Sequence, residues 1–196
     1  MNKNIGCYFH TSTQEDMIDS LRMIARFSKE IQGDKYAWKW LIISYHSCIQ
    51  GLFILSLEKG NGLSSMKDNI AREWVKSYKH NRKNPDDLIE YPEPYLDDFK
   101  NLYKKVKEHC LGSISDYDEA ILILHNELRN NFIHFSPKVW LIEISLMLET
   151  CQTLYGLVNR LARNPCGFIL YEENQPEQIP LLLDEIACNL AAFQEQ

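Results

Sequence analysis

The sequence predicts an all-α fold, a compact helical bundle of about five to seven helices with the 196-residue chain as one domain. Three observations carry this. Every long segment spaces its apolar residues three and four apart, the period of a helix with one buried face. Serine, aspartate, glycine and proline stand where such segments start and stop. Only one short run, Phe168-Ile169-Leu170-Tyr171, reads as extended. With 45% hydrophobic and 24% charged residues, the chain has enough apolar material for one core.

In order, Ser12 with Glu15 forms a capping box ahead of a first helix over 14–31, whose Met17, Leu21, Ile24, Phe27 and Ile31 share a face. Gly33 ends it and Asp34 caps the next, over 35–57, which has the most continuous apolar pattern of the chain and reads as the central helix. His46 and Gln50 lie one turn apart within that pattern, as expected of a polar contact in the core or at a dimer interface. After the turn at 59–62, Ser64 or Ser65 opens a shorter helix through Ile70, Trp74 and Val75.

Periodicity then fails over 78–94, which reads as a loop insert beginning with a basic cluster of Lys79, His80, Arg82 and Lys83. Beside Trp74 and Tyr78, these residues suit contact with a phosphate backbone and a stacked base; equally, they suit a solvated loop. Residues 95–110 form an amphipathic helix with Leu96, Phe99, Leu102, Tyr103 and Val106 inward and Lys100, Lys104, Lys105 and Lys107 outward, terminated by Leu111-Gly112. A helix over 117–131 follows, with Asp116 as N-cap and Ala120, Ile121, Leu124 and Leu128 as its stripe. Helices over 139–161 and about 179–193 complete the bundle, the first with an apolar face broad enough for burial on two sides.

Charge and composition narrow the functional classes. A net charge of −6 and pI near 5.5 disfavour indiscriminate coating of nucleic acid, so any RNA contact has to be local. Cysteines at 7, 48, 110, 151, 166 and 188 show no Cys-x-x-Cys pair and no metal-ligand spacing, and read as reduced thiols. No window of eighteen residues is apolar throughout and free of charge, and the first residues lack the pattern of a signal peptide; the expected location is cytoplasmic, without a membrane partner. No metal or cofactor motif is present: a Gly-rich phosphate loop, paired metal-binding aspartates and a His-x-x-x-His helix are all missing.

The chemistry concentrates in 129–134, where Arg129, Asn130 and Asn131 interrupt the apolar stripe before Phe132, Ile133 and His134, and Ser136-Pro137 stops the helix and restarts the next. Arginine offers a planar fork of donors for phosphate, and histidine exchanges protons near neutrality. A regular helix would rotate roughly 140° between positions 129 and 134, so convergence of the two requires it to loosen or kink near Phe132. Taken alone, the same residues also describe a buried histidine among aromatics and a solvated helix-end charge.

Arg129-Asn130-Asn131-Phe132-Ile133-His134, with a long helix before it and another after, resembles the Arg-x4-His motif of the HEPN superfamily. Phe135-Ser136-Pro137-Lys138 and Trp140 are similar to an uncharacterised bacterial branch. The resemblance implies a four- or five-helix bundle that forms a symmetric homodimer. It also implies a metal-independent endoribonuclease of toxin-antitoxin or phage-defence systems, with RNA as substrate and an antitoxin or sensor protein as a further partner. His134 would be the general base, Arg129 the phosphate clamp, and Asn130 would orient the histidine or donate to phosphate. No cofactor or metal is implied. The alternative is a non-catalytic HEPN-like binding or dimerisation module with the same fold.

Overall fold

Ser12 opens the first helix as its sequence predicts: the hydroxyl accepts the Glu15 N–H at 3.2 Å, and α1 runs Thr13–Glu30. This computed structural model describes residues 9, 11–58, 62–112, 114–134, 137, 139–163 and 175–194. Asp34 turns the chain, its carboxylate accepting the Tyr36 N–H at 2.8 Å and its carbonyl the Ala37 N–H at 3.1 Å, and α2 runs Ala37–Leu57. α2 is the central helix, touching α1 and several elements introduced below. It is long and apolar enough to cross a membrane by length and composition, but most of it is buried inside the bundle, as for a core helix. It lies close against α1 at Gly51, where a Cβ would stand 2.8 Å from that of Met17.

The next segment departs from expectation. Leu63–Ser65 form a single 3-10 turn, and α3 spans Asp68–Lys83, so neither Ser64 nor Ser65 opens it. The helix also runs through the basic cluster that the sequence places in a loop. Cationic Arg82 and Lys83 suit the negative end of the helix dipole, and side chains of the last turns bind the returning chain. Asn81 holds Ile89 twice, donating to its carbonyl and accepting its N–H, both at 2.9 Å. Tyr91 packs on Trp74 with ring centroids 4.3 Å apart. The non-helical insert therefore begins at Asn84 and lies back along α3.

The expected helix start at Tyr95 is also corrected: α4 spans Phe99–His109. Residues 95–97 are instead paired with 65–67, through Lys67 N–H to the Tyr95 carbonyl at 3.1 Å, Asp97 N–H to the Ser65 carbonyl at 2.9 Å, and an isolated antiparallel bridge from Met66 to Leu96. Leu96 is exposed, not inward. Lys105, expected in solvent, is mostly buried and lies 2.8 Å from Asp97 and 2.9 Å from Asp68, tying α4 to the root of α3. Burial raises the Asp97 pKa, but hydrogen bonds from Lys105, Asn101 and the Asp98 N–H outweigh it and hold the carboxyl below its ordinary value. Gly112, at φ 65°, follows α4 as the predicted terminator.

Residues 118–133 form one continuous helical rod in three parts, with Tyr117 rather than Asp116 at its N-cap: α5 (Asp118–Leu122), a π-helical segment (Ile123–Arg129) and α6 (Asn130–Ile133). α7 spans Ile144–Arg163 and α8 Gln175–Gln194, with Pro180 inside it. Residues 139–143 are non-helical, so Pro137 does not begin a helix. Besides α1, α2 contacts α4, α7 and the π segment, while α8 packs on α1 and α7. The architecture is the expected all-α bundle, and among the described residues there is no strand ladder. Cys48 and Cys151 are buried free thiols, and Cys188 is an exposed one. Cys7, Cys166, the run 168–171 and the motif neighbours Phe135, Ser136 and Lys138 lie outside the described residues.

Candidate functional site

The motif sits where its helix changes register. From Ile123 to Arg129 the backbone is π-helical, with hydrogen bonds five residues apart in place of four, yet Leu124 and Leu128 stay buried and keep the rod on the core. The loosening expected near Phe132 lies instead ahead of the motif: the π segment ends at Arg129, residues 130–133 are regular α-helix, and the chain leaves the helix only at His134. Arg129, half-buried, closes the π segment, and its guanidinium donates to the Asn130 side-chain oxygen at 2.9 Å. Asn131 turns back to the Glu127 carbonyl at 2.6 Å and serves the helix. His134 caps α6: its N–H reaches the Asn130 carbonyl at 2.8 Å, its backbone leaves the helix at φ −107° and ψ 83°, and its side chain is exposed. Arg129 and Asn130 are thus in contact. The His134 imidazole makes no hydrogen bond or ion pair among the described residues. Trp140 packs edge-on against Phe132, centroids 4.9 Å apart, and holds the chain after the motif near the helix end.

A histidine that the motif does not include stands beside Arg129. His125, in the π segment, meets His46 of α2 with 3.0 Å between its Nδ1 and the His46 Nε2. Phe99 lies nearly parallel to both rings, with centroids 4.2 Å from His46 and 4.9 Å from His125. The polar contact expected of His46 is made with His125. Gln50 instead lines a separate cleft with Thr11, Ser12, Asp16 and Ser47. Burial, then the Arg129 charge, then His125 push the His46 pKa down to about 3. His125 is lowered by burial, Lys100 and Arg129, with Asp98 opposing. Both imidazoles are therefore neutral at neutral pH. Sequence reasoning marked His46 by its place in the apolar pattern of α2 but missed His125, which stands four residues before Arg129.

The basic cluster is a separate surface. Lys79, Arg82 and Lys83 are exposed on the last turns of α3 and make no ion pair among the described residues. His80 is turned to the arm, its Nε2 2.8 Å from the Asp87 carbonyl and 3.5 Å from the Asp87 carboxylate. Tyr78 and Tyr91 are exposed nearby.

Among the described residues no group of three or more His, Cys, Asp or Glu side chains is placed to hold a metal ion. Comparison with family models, curated proteins and solved structures finds no match to this chain.

Proposed function

We propose that this chain is a metal-independent endoribonuclease of the HEPN type, a toxin or phage-defence effector acting on RNA. The observation that carries the reading is the form of the motif. Arg129 is half-buried at the end of a π segment with Asn130 against its guanidinium, and the exposed His134 stands at the end of the same rod. π segments recur at functional sites because they displace side chains from regular helical register.

In the chemistry this supports, Arg129 binds the scissile phosphate and offsets charge on its equatorial oxygens. His134 takes the proton of the ribose 2′-hydroxyl, the 2′-oxygen bonds to phosphorus, and the bond from phosphorus to the 5′-oxygen breaks. The products are a 2′,3′-cyclic phosphate and a 5′-hydroxyl. The acid that protonates the leaving oxygen is His134 of a second copy. Support for that second copy comes from apolar side chains left exposed along the motif rod and the chain after it: Leu122, Ile133, Val139, Leu141 and Ile144, of which Val139 and Leu141 are 88% and 89% exposed. An antitoxin or sensor protein would restrain such an enzyme in the cytoplasm.

The same exposed apolar side chains favour a second reading, a dimerisation or binding module with no catalysis. The deciding experiment incubates purified protein with RNA in excess EDTA and sequences the 5′-hydroxyl ends, beside Arg129→Ala and His134→Ala. Cleavage abolished by either substitution supports the enzyme. A folded, dimeric parent that leaves RNA intact supports the module.

A further inference from the structure

We infer that His125 is a second phosphate-binding group of the Arg129 site, a neutral imidazole whose Nε2–H donates to a non-bridging phosphate oxygen in a tautomer fixed by His46. This rests on the ribonuclease reading and adds how its phosphate is held.

His125 and Arg129 belong to one π segment, four residues apart. The His125 Nδ1 is engaged by His46 at 3.0 Å, so Nε2 is the ring nitrogen left to meet a ligand. Stacking of both imidazoles against Phe99 fixes the plane in which that nitrogen points. A neutral pair of imidazoles carries two N–H protons, and one lies between the rings. His46 is buried and His125 half-buried, so the other proton belongs at the accessible end, with His46 donating to His125 Nδ1.

The groups facing His125 keep it neutral. They are Arg129 on its own segment, Lys100 on α4, Asp98 at the N-terminus of α4, and His46 on α2: two cations against one carboxylate, with burial added. A neutral N–H donor suits phosphoryl transfer, because its hydrogen bond strengthens as charge grows on the phosphate oxygen and no proton leaves it. The proton balance of cleavage is unchanged: the 2′-hydroxyl proton passes to His134 and the 5′-oxygen receives one from the second copy. In these terms His125 is a catalytic residue and His46 a positioning residue.

The test combines steady-state RNA cleavage with 15N NMR of the imidazoles in the full-length protein. His125→Ala is expected to lose about 10²-fold in kcat with little change in KM, the usual consequence of removing one oxyanion donor. His125→Gln, whose amide N–H can stand near Nε2, recovers much of that loss. His46→Ala lowers kcat and disturbs the His125 tautomer, whereas His46→Gln, which retains a donor, preserves both. In the parent, the His125 proton is expected on Nε2; finding it on Nδ1 overturns the inference whether or not the variants fold. So does parental kcat in His125→Ala when Arg129→Ala is inactive. A parent that cuts no RNA removes the ribonuclease reading and this inference together, a result distinct from an Arg129-dependent enzyme indifferent to His125.

Discussion

In α2, fifteen of the 21 residues are buried; in α3, Ser77 alone of 16 is. α2 is held on several sides by α1, α4, α7 and the π segment, while α3 is fixed at its root and along one side by the arm that Asn81 and Trp74 hold against it. Both are regular α-helices. The stability of α2 comes from packing, whereas α3 relies on the propensity of its residues, a few side-chain hydrogen bonds and one aromatic contact. Each also supplies a different part of the proposed chemistry: α2 contributes His46 to the buried end of the site, and α3 presents cations to solvent.

The largest effect should come from hollowing α2. Leu52→Ala, at a fully buried position, is expected to cost about 3–4 kcal/mol in denaturant unfolding, by lost burial and the cavity left behind. Val75→Ala, at a half-buried position in α3, should cost less than about 1 kcal/mol. Equal losses would break the contrast.

Acid should act next, again through α2. The folded-state pKa of His46 is depressed to about 3, so the unfolded chain takes up a proton near pH 6.5 that the folded chain refuses until near pH 3. The His46 contribution is intact above about pH 6.5 and lost as pH falls toward 3, a loss of about 2 kcal/mol by pH 5. His125 is shifted in the same direction and adds to it. Chemical denaturation of the parent and of His46→Phe across pH 5 to 7.5 checks this, the variant being expected to lose less on acidification. An identical pH slope in both would show that His46 is not the group responsible.

The contrast between α2 and α3 also shows where sequence reasoning reached. α2 was legible because it is apolar around most of its circumference and Asp34 turns the chain into it. The end of α3 was not, because Lys79 to Lys83 lack apolar periodicity and the partners that fix this turn lie in the arm. Tyr95 and Leu96 fit a helical stripe, but pairing with residues 65–67, some thirty positions earlier, keeps them extended. The π segment left no trace in the pattern, since Leu124 and Leu128 face the core as they would in an α-helix. At the site, the polar interruption and its place at a helix end could be read directly. His125 could not, because its partner is seventy-nine residues away on α2.

A smaller effect probes the root of α3. Lys105→Ala removes the cation shared by Asp97 and Asp68 and leaves the Asp97 carboxylate, 8% exposed, without it. The expected cost is about 1–2 kcal/mol, reduced from that of a fully buried pair because water reaches Lys105 and Asp68. Asp97 is held below its ordinary carboxylate pKa, so its contribution is present above about pH 4 and lost as pH falls below that. Lys105→Ala should accordingly flatten the acid limb of stability below pH 4. A variant as stable as the parent, with an unchanged acid limb, would show that this node does not anchor α3.

The smallest effect on stability, with the largest separation of stability from function, is expected at the free end of α3. Lys79→Gln, Arg82→Gln and Lys83→Gln together remove three exposed charges that pair with nothing among the described residues, and glutamine keeps helix propensity close to that of lysine and arginine. The melting temperature should therefore barely move, the change staying within about 0.5 kcal/mol for surface positions of this kind. If these cations hold RNA, each neutralises a phosphate, and losing all three should lower the slope of log affinity against log salt by about 2 for a single strand. His80→Gln is the internal control. Its ring serves Asp87 of the arm, so it should disturb the arm more than RNA binding. Weaker RNA binding with an intact melt gives α3 a role in substrate capture. An intact salt slope moves the phosphate track away from this surface, and a lowered melt makes the charges part of the fold.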